Sequence, residues 1–309
     1  MFRLIDYYGY KLIRLVVSYF FGRVFAPGVK YRSGTHIPEC LYLDHSDERV
    51  MHLGDMMFFL GIIWQCNQSN IPIFILGSRS LVRFFSIFGV RHTITTHRPG
   101  IILTKSDSLQ FIWPSKHTVI GFNFWQLSGT GPVAVLLQQQ FQRFMAIFFP
   151  EIHLITPNAS FYSEIQQRIR DHLGPIEAKD SESSIVVNPF VASQRWAAWR
   201  RRGAFNQYIQ HQSKDHSAVC IGTNRDQLLR LGFPVIQDMR GKMSVMALVN
   251  YLYKTPIHSV VTFDTFVAHI AILLDLNVIV FLKSTQKKQF RCDRFLPFFP
   301  CLTEKITIK

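Results

Sequence analysis

The sequence predicts an α/β protein built from two doubly wound domains in tandem. Three observations predict it. In both halves short apolar runs alternate with helical patterns, the rhythm of a parallel sheet covered by helices. A polar stretch from Asp171 to Ser184 reads as a linker between the halves. With 309 residues, 48% apolar and 17% charged, the chain has core enough for two domains and is excluded from the disordered and low-complexity classes.

Residues 1–25 read as a helix with Arg3, Lys11 and Arg14 on one arc and apolar or aromatic side chains around the rest. The chain carries 28 Phe, 10 Tyr and 5 Trp and a net charge of +14. The helix therefore reads either as an interfacial segment pressing rings among anionic headgroups or as a helix docked on its own domain. Residues 1–40 form this N-terminal extension. A loop follows Pro27 and Gly28, then a first strand at Cys40-Leu41-Tyr42-Leu43, a polar loop from Asp44 to His52 and a helical pattern from Asp55. Apolar runs at 72–76, 101–103 and 119–122 continue the rhythm, with a helical pattern at 80–88. Together, residues 41–175 make the first domain.

The second domain, 184–309, starts with the buried-strand signal Ile185-Val186-Val187. Further strand signals lie at 218–221, 235–236, 260–262 and 278–282, and the clearest helical patterns run over 244–253 and 265–274. Two doubly wound domains place the loops that follow their strands where they can face one another across a cleft.

Five scattered cysteines without C-x-x-C spacing argue against a zinc site or a secreted disulfide framework and for a reducing compartment. No secretory signal and no run of about 18 apolar residues is visible, so a soluble or membrane-surface protein is expected. The basic charge suits phosphate contacts, but no nucleic-acid-binding motif appears.

Four strand-to-helix junctions carry residues suited to chemistry. At His52-Leu53-Gly54-Asp55, Gly54 permits close approach of a ligand, and Asp55 is either a helix cap or a carboxylate displayed at the cleft. In Val187-Asn188-Pro189-Phe190-Val191-Ala192-Ser193-Gln194-Arg195-Trp196, Ser193 and Arg195 suit a phosphate; Arg200-Arg201-Arg202 beyond it reads as a solvated face. In Gly222-Thr223-Asn224-Arg225-Asp226 the carboxylate either accepts from ribose hydroxyls or caps the next helix. In Phe263-Asp264-Thr265-Phe266-Val267-Ala268-His269 the helix N-terminus offers backbone N–H groups to a diphosphate, with Thr265 helping. Asp264 either accepts from a sugar hydroxyl or caps the helix, and His269 is a site residue or a core histidine. No P-loop, G-x-G-x-x-G, G-x-S-x-G or H-E-x-x-H motif is present, and no D-x-D pair that would hold a divalent cation against a sugar nucleotide.

In their order and spacing, from Leu41 through Lys283, these pieces resemble glycosyltransferase family 9, the bacterial heptosyltransferases of the lipopolysaccharide core. Leu53-Gly54-Asp55 matches the family's Gly-Asp, and Ala192-Ser193-Gln194-Arg195-Trp196 its Ser-x-x-Arg-Trp-like element. Gly222 with Asp226 is similar to its ribose-holding pair. Lys242-Met243-Ser244-Val245 is similar to its Lys-Met-Ser-Leu segment, and Asp264-Thr265-Phe266 with His269 to its Asp-Thr-Gly and downstream His. The chain departs from the pattern at Gln194, where the family has lysine, at Phe266, where it has glycine, and in the roughly 40 residues before the first strand.

The resemblance implies a GT-B architecture, two Rossmann-like domains facing across a cleft, with acceptor on the first and nucleotide sugar on the second. It implies an inverting, metal-independent transfer of a heptose or related sugar with no cofactor, ADP-sugar being the first donor to consider. Asp55 would be the base. Ser193, Arg195, Asp226, Lys242, Met243, Asp264, Thr265, Phe266 and His269 would bind the donor. The expected partners are a glycolipid or polysaccharide acceptor, such as lipopolysaccharide or capsule, and an anionic membrane surface on the cytoplasmic side. The alternative is a catalytically lapsed GT-B protein that binds a membrane or an anionic polymer, which Gln194 and Phe266 favour.

Overall fold

The computed structural model describes the chain except residues 1–11, 15, 17, 18, 21, 47–50, 78, 80, 107, 112–115, 157–160, 177–182, 190–194, 229 and 283–303. It divides into two compact units, Met1–Phe161 and Tyr162–Lys309.

The first unit holds a seven-stranded sheet. Its strands are β1 (Arg23–Ala26), β2 (Val29–Arg32), β3 (Cys40–His45), β4 (Ile73–Gly77), β5 (Arg91–Thr93), β6 (Gly100–Lys105) and β7 (Thr118–Phe122), and their spatial order is β5-β4-β3-β6-β7-β2-β1. The five strands from β5 to β7 are mutually parallel. In chain order they run third, second, first, fourth, fifth, so the winding direction reverses between β3 and β6. Helices α1 (Leu53–Met57), α2 (Leu60–Gln68), α3 (Val82–Phe85) and α4 (Val133–Phe148) supply the crossovers and cover. β3 is buried along its whole length, the pattern of a central strand covered on both faces.

The second unit holds α5 (Phe161–Leu173), which begins on the last residue of the first unit, and a wholly parallel six-stranded sheet. Its elements are β8 (Ser184–Asn188), α6 (Arg195–Gln212), β9 (Ala218–Cys220), β10 (Gln237–Asp238), α7 (Val245–Lys254), β11 (Ile257–Thr262), α8 (Phe266–Leu273), β12 (Val278–Val280) and β13 (Ile306–Ile308). The order β10-β9-β8-β11-β12-β13 is the full doubly wound sequence, reversing between β8 and β11. On one face Phe205 of α6 stacks on Phe263 with ring centroids 4.9 Å apart and meets Phe281 edge-on at 5.1 Å, over the fully buried Ile185, Val187 and Val261.

The structure corrects several sequence expectations. Residues 23–26 are not the end of a helix, and the stretch after Gly28 is not a loop. They form the antiparallel hairpin β1–β2, turned at Gly28 (φ +77°), where a Cβ would lie 2.6 Å from the backbone of Gln126 and Leu127. The hairpin joins β7 antiparallel because Phe25 and Tyr31 bury their rings against Phe144 and Phe148 of α4, 4.9 to 6.0 Å between centroids. Upstream, residues 12–14, 16 and 19–20 are helical as expected, but Arg14, expected on the basic arc, is buried. The polar stretch begins as helix, since α5 runs to Leu173. Val235-Ile236 leads into β10 instead of forming it: Val235 turns to the Phe205 cluster, while Ile236 is exposed. The short edge strands β5 and β13 carry no apolar run that would have announced them.

Candidate functional site

In open, doubly wound sheets ligands bind beyond the carboxyl ends of the strands where the winding reverses. The two sheets therefore mark two places, the ends of β3 and β6 in the first unit and of β8 and β11 in the second.

At the first place, Asp44 on β3 is buried and its carboxylate is enclosed by hydroxyls. Thr104 Oγ1 donates to Oδ2 at 2.7 Å and Ser108 Oγ at 3.4 Å, while the Ser46 hydroxyl and amide donate to Oδ1 at 2.5 and 3.2 Å. Asp44 thus ties the loop after β6 to the end of β3. The chain then enters α1, where His52 is the N-cap in extended backbone and Asp55 stands in its first turn. Asp55 Oδ2 accepts the His52 backbone N–H at 3.0 Å, the reciprocal half of a capping box, and lies 2.6 Å from the Lys105 ammonium. Asp55 is therefore both a cap and an ion-paired carboxylate. Its Oδ1 takes no hydrogen bond from the described residues, and the side chain is 17% exposed. Gly54, half-buried, precedes it on α1. Lys105 ends β6 with its ammonium 5.6 Å from the centroid of the Phe124 ring, which packs on Phe58 and Phe59.

At the second place, the buried Asn188 closes β8. Its Nδ2 donates to the Ile221 carbonyl at 3.2 Å and its Oδ1 accepts from Thr262 Oγ1 at 3.2 Å; the Thr262 and Thr265 hydroxyls lie 3.1 Å apart. Thr265 is the N-cap of α8 with no side-chain cap bond of its own, so its hydroxyl does not cap the first-turn amides of Phe266, Val267 and Ala268. Phe266 is half-buried. Asp264 Oδ1 lies 3.5 Å from Nε2 of the buried His269, an ion pair only when that ring is protonated.

Asp226 sits in a short 3-10 turn after β9. Its Oδ2 accepts from the Thr223 amide at 2.7 Å and the Thr223 hydroxyl at 2.8 Å, and its Oδ1 takes no hydrogen bond from the described residues. A Cβ at Gly222 would lie 2.9 Å from Oδ2, so glycine is what lets this loop close. Behind it the buried Arg240 forks onto Asp238 at 2.7 to 3.1 Å and donates to the Asp226 carbonyl. The guanidinium beside Asp238 holds that carboxyl below the usual carboxylate range. Burial pushes the neighbouring Cys220 thiol up to about 12. The exposed Lys242 donates to the Asp238 carbonyl at 2.6 Å, and Met243 is half-buried beside it.

Of the expected donor residues, Asp226, Lys242, Met243, Asp264, Thr265, Phe266 and His269 lie in loops or helix starts at the carboxyl side of the second sheet. Ser193 and Gln194 lie outside the described residues. Arg195 is the first residue of α6, and its side chain is likewise outside them. Sequence reasoning missed Lys105, Asp44 and the Asp238–Arg240 fork. A cation closing an apolar strand run was the available signal for Lys105, but only the strand order shows that β6 ends beside β3. Among the described residues no group of three or more His, Cys, Asp or Glu could hold a metal ion.

The whole architecture is similar to solved GT-B enzymes. E. coli heptosyltransferase WaaC with ADP matches with a TM-score of 0.55 at 10% identity, over 87% of this chain and 92% of that one. The same enzyme with ADP-2-deoxy-2-fluoro heptose matches with 0.51 at 12% identity over the same shares. E. coli ADP-heptose lipopolysaccharide heptosyltransferase II matches with 0.50 at 12% identity, over 87% of this chain and 90% of that one. The expected GT-B fold of two Rossmann-like units is thus what the chain has. No family model and no curated protein matches the sequence.

Proposed function

We propose that, on this GT-B fold, the chain is an inverting, metal-independent glycosyltransferase. It moves a heptose or related sugar from a nucleotide-diphosphate donor, an ADP-sugar first, to a glycolipid or polysaccharide acceptor such as lipopolysaccharide or capsule. The observation that carries the proposal is the Asp55 carboxylate at the point where the first sheet reverses its winding, one oxygen anchored and the other taking no hydrogen bond from the described residues.

In this reading Asp55 Oδ1 takes the proton of the acceptor hydroxyl, whose oxygen bonds to the anomeric carbon as the bond from that carbon to the diphosphate breaks. One displacement inverts the configuration. The bonding pair leaves on the diphosphate, where the amides of residues 266–268, the Thr265 hydroxyl, Ser193 and Arg195 stabilise it. Asp226 Oδ1 accepts from a ribose hydroxyl, Lys242 and Met243 seat the base, and Asp264 with His269 faces the transferred sugar. Metal independence rests on the missing D-x-D pair.

The acceptor reading brings a membrane with it. Leu12, Ile13, Tyr19, Phe20 and Val24 are exposed apolar side chains, Tyr19 by 77%, beside the exposed Arg23, on a chain of net charge +14. Exposed rings close in the chain to an exposed cation suit the cytoplasmic face of an anionic bilayer. Among the described residues no helix is long and apolar enough to cross it.

Calorimetric titration of ADP-sugars and UDP-sugars into the full chain, followed by an assay of donor consumption with glycolipid acceptors, tests the proposal. Saturable binding of an ADP-sugar and a product of inverted configuration are expected. Binding of anionic vesicles with no affinity for any nucleotide sugar would instead establish the lapsed, non-catalytic reading.

A further inference from the structure

Lys105 is not among the residues that the family resemblance assigns, yet among the described residues it makes the shortest polar contact to Asp55. Among the described residues Asp55 Oδ2 has two donors, the His52 amide at 3.0 Å on its own helix and the Lys105 ammonium at 2.6 Å from the neighbouring strand. The amide is covalently close, three residues away, and fixes only the entry to α1. Lys105 is fifty residues away, and its position is set independently. β6 pairs in register with β7 (Lys105 with Phe122), the Ser108 amide donates to the Lys105 carbonyl at 3.0 Å, and the ammonium rests near the Phe124 ring. Phe124 is itself held edge-on by Phe58, 5.5 Å between centroids, just beyond the end of α1. The loop that follows Lys105 is tied down by Asp44, through Ser108.

A carboxylate held by one amide can turn about its last torsion and exchange its two oxygens, because such sp2 torsions are broad. A second donor on the same oxygen removes that freedom and leaves the other oxygen with one orientation. An ammonium suits this task, being a compact charge that can be carried on a flexible stem to a point beside the helix.

We infer that Lys105 is a positioning residue for the reaction. It holds Asp55 Oδ2 so that Oδ1 alone meets the acceptor hydroxyl and takes its proton. The inference rests on the proposed transferase reading and adds a residue to its machinery.

The test measures kcat and the donor KM for the full-length wild type, Lys105→Met and Lys105→Arg with an ADP-sugar and a glycolipid acceptor. Lys105→Met is expected to lower kcat about 100-fold, the usual cost of a misplaced catalytic group, with donor KM unchanged. Lys105→Arg, which restores a cation within reach of Oδ2, should recover most of the loss. If Lys105→Met does not fold, Lys105→Gln is read by the same criteria. A wild-type kcat in either uncharged variant, or an arginine variant as slow as the methionine one, overturns the inference and leaves the transferase reading standing. A wild type that consumes no nucleotide sugar overturns that reading itself, and this inference with it.

Discussion

The two places where the sheets reverse their winding are built alike in backbone and oppositely in chemistry. The first ends in charge: Asp44 locked among hydroxyls, and Asp55 in an ion pair with Lys105. At the second, Asn188, Thr262 and Thr265 are linked in a row before the first turn of α8, with Asp264 beside them facing His269. Among its described charges, Asp238 and Arg240 neutralise one another behind the Asp226 loop, and Asp264 lies 3.5 Å from His269 Nε2. In the proposed reading one topology serves two tasks. The first place holds its carboxylate by a cation and an amide, and in the proposed reading the second offers the first-turn amides of α8 to a diphosphate, with Asp264 beside them drawn toward His269.

Removing the first site's anchor should have the largest effect. Asp44→Ala leaves the buried Thr104 and Ser108 hydroxyls without their carboxylate acceptor, and should cost about 3 kcal/mol of stability, read as a lower urea midpoint with an unchanged slope. An unchanged midpoint would deny that the first site is built around this carboxylate. On the donor side, Asp226→Ala removes both a loop anchor and the open oxygen, and should weaken ADP-sugar binding about tenfold by calorimetry. An equal loss from Asp55→Ala would erase the division of labour between the sites.

A smaller effect concerns pH. Asp238 is held below its ordinary value by Arg240, so its folded value lies below its unfolded one. The pair's contribution to stability is full above the unfolded value and disappears as pH falls through the folded one. Denaturant unfolding followed downward from pH 6 should therefore show a shallower loss in Asp238→Asn than in the wild type. The carboxylate is 40% exposed, which keeps the difference modest. The smallest change is expected outside both sites. Tyr19→Ser with Phe20→Ser should reduce sedimentation with anionic vesicles while leaving donor affinity as it was; undiminished sedimentation would remove that surface from the membrane reading.

Much of this was legible in the sequence, and the limits have physical causes. Buried parallel strands such as Ile185-Val186-Val187 and Cys40–Leu43 announce themselves as continuous apolar runs. Gly54-Asp55 and Gly222 with Asp226 stand at the strand-to-helix junctions where doubly wound sheets keep their sites. The hairpin β1–β2 was illegible because Arg23–Ala26 is aromatic and basic, as an amphipathic helix would be. Only Phe144 and Phe148, some 120 residues on, decide for a strand. Lys105 was illegible for a similar reason, since its meaning depends on β6 lying beside β3. Asp55 could be read as cap or as carboxylate displayed at the cleft; the capping contact occupies Oδ2, and Oδ1 takes no hydrogen bond from the described residues.

Donor breakdown measured side by side in the wild type and Asp55→Asn, at saturating ADP-heptose with a lipopolysaccharide-core acceptor, bears most directly on whether this carboxylate drives sugar transfer. The asparagine variant should bind donor as tightly as the wild type, measured by calorimetry, and release ADP about a thousandfold more slowly, within the range that a general base supplies. Wild-type ADP release from that variant would contradict the assignment of Asp55 as the base.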